Sequence, residues 1–145
     1  MTTEPITAVE LLREGGLRVT SQRIAVLDAL VGGHVDVETL TTRARARLGT
    51  LSSQAVYEML NRFLEVELVR KVPAPFGPVL YETDTTVHDH VVCDRCHRVE
   101  NIPATTRRPP LPAGWSLRET MYIATCPACT QQDGAAGVAA DHSQR

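Results

Sequence analysis

No stretch of this chain approaches the roughly 20 consecutive apolar residues that a bilayer-spanning helix needs. The apolar 43% of its residues is therefore expected in a packed core, and no membrane partner is expected. Nor is there a surplus of positive charge. Lys and Arg total 15 against 17 for Asp and Glu, and residues 1–82 are no more basic than the whole. Contact with a polyanion would have to come from local placement of side chains, not from a global field. The opening Met1-Thr2-Thr3-Glu4-Pro5 lacks the cationic and apolar character of a secretory leader, so the expected location is cytoplasmic, with reduced thiols. No internal repeat is present. The 145 residues leave room for one ordinary domain or two small ones.

Cysteine is scarce but not scattered. Cys93 and Cys96 form one C-x2-C pair and Cys126 and Cys129 a second. Two residues between cysteines let the backbone turn both thiolates onto one ion, and two such knuckles complete a tetrahedral four-thiolate site suited to structural zinc. A redox or disulfide pair is the weaker alternative in a reducing compartment. The 29 residues between Cys96 and Cys126 exceed the usual zinc-ribbon gap, which places strands between the knuckles.

The rest reads as α+β, an N-terminal winged-helix domain over 1–83 followed by a small α/β, zinc-containing dimerisation domain over 84–130 and a disordered tail over 131–145. Thr7-Ala8-Val9-Glu10 is a capping box for a short first helix ended by Gly15-Gly16. Thr20 caps a second helix over 21–31 with Ile24, Leu27 and Val31 on one face, and Asp36 caps a third, with Val37, Leu40, Ala44 and Leu48 as its buried stripe, ended by Gly49. Ser52 or Ser53 starts a fourth that runs to about Glu67. Segments 68–72 and 79–82 read as strands joined by a proline- and glycine-rich connection. Helices followed by a hairpin is the order of a winged helix. After a polar linker at 83–87, strands are expected near 88–93, 98–102 and 116–125, with an irregular loop over Pro103 to Gly114.

On the fourth helix Val56, Met59, Leu60, Phe63 and Leu64 share the core side, whereas Gln54, Tyr57, Glu58, Asn61 and Glu65 recur along the polar face. An aromatic among Gln and Asn suits contact with thymine methyls or phosphate in a major groove of double-stranded DNA. The plainer reading is an amphipathic helix with a half-exposed tyrosine. Ser53 and Gln54 add donors at a helix start that already favours phosphate, and Arg18, Gln22 and Arg23 are candidates for backbone contacts.

His88-Asp89-His90 precedes the first knuckle. Strand alternation sends His88 and His90 to one side and Asp89 and Cys93 to the other, so the histidines do not join the cysteine site. A separate imidazole and carboxylate centre would suit Fe(II), Mn(II), Zn(II), Ni(II) or Co(II), and Glu82 and His34 are the nearest candidates in type. A centre drawing on both domains would fix the angle between them. For a lone histidine such as His97 or His142, an ordinary solvated side chain is the expectation.

Taken together, Leu17-Arg18-Val19-Thr20-Ser21-Gln22-Arg23, His34 before an acid-capped helix, Ala55-Val56-Tyr57, Tyr81-Glu82 and the H-x-H-x2-C-x2-C run resemble the ferric uptake regulator family over about residues 10 to 130. The resemblance implies a homodimeric, metal-dependent repressor that binds a DNA operator, with a structural zinc on Cys93, Cys96, Cys126 and Cys129. It also implies a regulatory ion, Fe2+ or Mn2+, on His34, Glu82, His88 and His90. Ser53-Gln54-Ala55-Val56-Tyr57 further resembles the actinobacterial branch linked to catalase-peroxidase genes, which implies iron and peroxide as the stimulus.

The chain departs from the pattern in four places. The usual acidic fifth ligand matches Asn101, with Glu100 on the opposite strand face. Val87 shortens the histidine run, and Arg118 stands where some members have a histidine, so a third metal site is not expected. The gap between the knuckles is short and proline-rich, so the helix found there in relatives is expected to be truncated or lost, with an effect on dimer geometry.

An enzyme is the main rival, but there is no H-E-x2-H and no H-x-E ahead of P-C-x2-C. A haem-responsive regulator would need Cys126-Pro127, which the zinc site already uses. A third rival is a DNA-binding protein whose zinc is purely structural, and zinc or nickel sensing within the same family is a further variant.

Overall fold

Each of the first four helices begins on a side chain that accepts from the backbone three residues on, because the opening N–H groups of a helix have no partner within it. Thr7 accepts from Glu10 N at 3.2 Å, Thr20 from Arg23 N at 3.2 Å, Asp36 from Thr39 N at 2.8 Å and Ser52 from Ala55 N at 3.1 Å. The Glu10 carboxylate also accepts from Thr7 N and completes the capping box. The computed structural model describes residues 5–104 and 108–136. In it these caps open α1 (Ala8–Glu14), α2 (Ser21–Leu30), α3 (Val37–Leu48) and α4 (Ser53–Glu65). Gly49, at φ 87°, ends α3 in a conformation open to glycine at little cost.

The chain divides into two compact units between Thr86 and Val87, within the polar stretch expected as a linker and three residues beyond the boundary read at 83/84. In the first unit, Leu12, Leu27, Leu30, Leu40, Leu60 and Phe63 are fully buried and bring α1 to α4 onto one core. Each such side chain contributes about 1.5–3 kcal/mol by leaving water. The antiparallel hairpin β1 (Arg70–Val72) and β2 (Leu80–Glu82) follows. Val35 extends it through a two-bond bridge to Tyr81, with N···O distances of 3.0 and 2.9 Å. Helices closed by a hairpin give the winged helix that the element order implied.

Two expectations about this unit need correction. Val31 does not share the buried face of α2: it caps the helix and is exposed, while Ala25, Val26 and Leu30 join Leu27 inside. The first strand is also shorter than 68–72. The chain leaves α4 through Glu67, at φ 59°, and Leu68 and Val69 serve the helical core before pairing begins.

The second unit is a three-stranded sheet in the order β4-β3-β5 plus one helix. Strand β3 (His88–Cys93) pairs antiparallel with β4 (Val99–Pro103) and parallel with β5 (Met121–Ala124). Residues 116–120 are not strand, and no helix occurs among the described residues between β4 and β5. Helix α5 (Pro127–Ala136) overturns the reading of a tail from 131 on; Ala and Gln along it favour helix once the second knuckle has fixed its start. The rest of that expected tail, and His142, lie outside the described residues.

This unit has little apolar interior of its own. Among its described residues only Val92 and Cys93 are buried apolar side chains, beside buried Asp89 and His90. Val87, Leu111, Trp115, Leu117, Tyr122 and Ile123 are exposed. A unit this small and thinly filled needs a metal, a partner or both to hold its fold.

Candidate metal centres and nucleic-acid interface

The first knuckle is the turn between β3 and β4. Cys93 N donates to Arg98 O at 2.9 Å and His97 N to Cys93 O at 3.0 Å, while His97 adopts φ 63° to close the loop behind Cys96. His97 thus has a backbone role that its lack of metal-site context left open. The second knuckle runs into the first turn of α5, so both pairs are held by regular elements.

All four sulfurs lie within 4.8 Å of one another, and Cys96 Sγ and Cys126 Sγ are 3.7 Å apart. A tetrahedron with Zn–S distances of about 2.3 Å has edges of about 3.8 Å, so the donor set and its spacing fit a structural zinc. Backbone N–H groups support the thiolate form of Cys93. Those of Cys126 and Arg95 donate to its sulfur at 3.3 and 3.4 Å. The Cys126 amide, then that of Cys96, hold this thiol down at about 6, whereas hydrogen bonding to Cys126 pushes Cys129 up to about 12. Metal binding takes thiolates and releases such protons.

His34 and Glu82 meet within the first unit. The Val35–Tyr81 bridge sets His34 next to the end of β2, and His34 Nε2 lies 2.9 Å from Glu82 Oε2. The other Glu82 oxygen accepts from Arg70 Nε at 2.8 Å, and the carboxylate is buried. Arg70 was not singled out from the sequence. It faces Glu82 directly in the hairpin register, a cross-strand charge pair that becomes visible once the register is set.

His88 and His90 meet within the second unit. Their Nε2 atoms converge to 3.0 Å with ring planes at 69°, as the shared strand face predicted. Asn101 sits opposite His90 across β3 and β4, and Glu100 opposite Val91, so the histidine face meets the amide. Glu100 pairs instead with Arg98. Among the described residues of the second unit, Glu119 brings a carboxylate to His90, with Oε1 3.6 Å from Nδ1; it lies in a loop without periodicity, and nothing in the sequence marked it.

On the other face, buried Asp89 Oδ1 accepts from Arg108 Nη2 at 2.8 Å, and Arg108 also donates to Thr120 Oγ1 at 2.5 Å. That buried carboxylate is thus held by a guanidinium from the loop after β4.

The proposed DNA contacts fall in the first unit. Tyr57 is 47% exposed on α4, with Ser53 and Gln54 exposed on the first turn of the same helix. Ser53 and Tyr57 line one groove with Arg45, and Tyr57 lines another with Lys71 of β1. Arg45 and Lys71 are cations that the sequence reading did not nominate. Arg18 and Gln22 are exposed, whereas Arg23 is half-buried and donates through Nη1 to Arg18 O at 2.9 Å, so its guanidinium is partly spent on the turn before α2.

Residues 14–107 match the ferric uptake regulator family. The chain is 35% identical over 133 residues to the transcriptional regulator FurA of Mycobacterium tuberculosis, covering 86% of this chain and 90% of that protein. Among solved structures, the ferric uptake regulator of Helicobacter pylori, described as having three functional metal binding sites, superposes with a TM-score of 0.64 at 18% identity over 82% of this chain and 86% of that one. A zinc uptake regulator complexed with zinc and DNA superposes with a TM-score of 0.60 at 22% identity, over 88% and 93% of the two chains. No helix among the described residues is long and apolar enough to cross a membrane. With a winged helix, a four-thiolate site and paired histidines in one sequence, this chain belongs to the ferric uptake regulator family of transcriptional regulators.

Proposed function

We propose that this protein is a homodimeric, metal-dependent DNA-binding repressor that carries a structural zinc on Cys93, Cys96, Cys126 and Cys129. A regulatory Fe2+ or Mn2+ would be held by His34, Glu82, His88 and His90, with iron supply or peroxide as the signal. The observation that carries the reading is the pair of imidazoles whose Nε2 atoms converge on one strand face, 3.0 Å apart, away from the cysteines. Two neutral imidazoles and a carboxylate form a donor set for a first-row divalent ion. Glu82 and His34 belong to the first unit, His88 and His90 to the second. Side chains drawn from both sides of Thr86 would therefore couple occupancy to the angle between the units. The dimer would then present its two α4 helices to successive major grooves, about 34 Å apart.

The second unit supplies the dimer. Strand β5 is an edge of its sheet, and Ile123 on it is 59% exposed, an apolar edge of the kind that pairs with another chain. Ile123→Asp is expected to leave a monomer in analytical ultracentrifugation, and unchanged dimer mass would place the interface elsewhere. On α4, Tyr57→Ala is expected to weaken operator binding by about 1–3 kcal/mol, if the ring reads a base, with the fold intact. Equal affinities at fixed salt would remove Tyr57 from the interface.

Asn101 opposite His90 favours one second reading, in which zinc is structural and the histidines sense nothing. Metal analysis with footprinting separates the two. One zinc per chain plus a chelator-labile ion that makes footprints conditional supports the sensor, while one zinc and unconditional footprints support the rival.

A further inference from the structure

The reading face of α4 carries an unquenched carboxylate. Glu58 follows Tyr57, is exposed, and has no ion-pair partner among the described residues. Arg62, one turn on and suitably spaced to neutralise it, pairs instead with Glu65 at 2.7 Å. Glu58 is not loose, however, because Gln54 Nε2 donates to its Oε1 at 3.3 Å. One oxygen is thereby steadied on an exposed side chain.

A carboxylate carried into a groove walled by phosphates is repelled by each of them, so this position lowers affinity for duplex DNA in general. What offsets that repulsion is an N–H donor on a base edge. Guanine and thymine present only acceptors or a methyl group in the major groove, adenine presents an amino donor beside the N7 acceptor, and cytosine presents its 4-amino donor with no polar acceptor next to it.

We infer that Glu58 is a specificity-determining residue that accepts from the 4-amino group of a cytosine, so that each operator half-site carries one C·G pair at which thymine and guanine are rejected. This rests on the DNA-reading role given to α4, and extends it from where the helix docks to which base it demands.

The test is selection from a pool of randomised 30-base-pair duplexes by the full-length, Mn(II)-loaded protein and its Glu58→Ala and Glu58→Gln variants, followed by sequencing. Wild type is expected to enrich cytosine at one position per half-site. Glu58→Ala should flatten that position alone, lower discrimination against its mismatches by about fivefold or more, and bind unselected duplex more tightly at low salt. Glu58→Gln keeps an acceptor for Gln54 and should move the preference towards adenine, a base that a side-chain amide reads. The same motif from wild type and Glu58→Ala would overturn the inference and leave the DNA-reading role standing. No enriched motif from wild type would overturn both.

Discussion

Purified Cys93→Ser protein is expected to carry no zinc and to lose the fold of its second unit while the helical first unit stays intact. The reason lies in the thinness of that unit, whose buried apolar side chains among the described residues are Val92 and Cys93 itself. Zinc contributes about 10–16 kcal/mol of apparent binding free energy to small zinc-dependent folds, more than such a core supplies. Trp115 is the sole tryptophan of the chain and lies in the second unit, so its near-ultraviolet signal reports on this unit. Far-ultraviolet dichroism is dominated by α1 to α4. The expected pattern is loss of zinc by mass spectrometry, loss of amide protection over β3 to β5, and retained helix. A zinc-free mutant with native protection there would sink the idea that the four thiols hold a folding metal.

The second large effect concerns His90. In wild type, added Fe(II) or Mn(II) is expected to raise operator affinity by the coupling between metal and DNA sites, typically about 1–3 kcal/mol or roughly 5- to 150-fold. His90→Ala should abolish that gain and keep the zinc, because His90 and Cys93 lie on opposite faces of β3. Only differential affinity for the DNA-competent arrangement can produce such a shift. Titrating both proteins with metal and reading affinity by fluorescence anisotropy at fixed salt decides it. If wild type and His90→Ala respond identically, the histidine pair is not the sensor.

The helix starts were legible because a cap is a local contract: Thr7, Thr20, Asp36 and Ser52 each accept from an amide three residues away, and tertiary context has little to add. The knuckles and the histidine face were legible for the same reason, since C-x2-C geometry and strand alternation act over fewer than five residues. Val31 was misplaced because a helix cap and a buried position look alike in a periodicity that runs one residue too long. Arg70 could be reached only through the hairpin register. Arg108 and Glu119 have no local signal at all, since each meets β3 from a proline-rich loop far along the chain. The exposed carboxylate of Glu58 stood in the sequence among the polar positions of α4, but that its i+4 arginine turns away to Glu65 is a fact of side-chain geometry.

An arginine cannot be chelated, oxidised away or titrated off in the cell, since guanidinium keeps its charge above pH 12. The hold of Arg108 on Asp89 is therefore a counter-ion that never equilibrates with the surrounding medium. With that carboxylate held by a fixed charge, the proposed histidine centre is expected to follow the metal pool without a contribution from Asp89. Its occupancy per protomer should then follow a simple hyperbola, and any steepness in the repression curve has to arise between protomers on the operator.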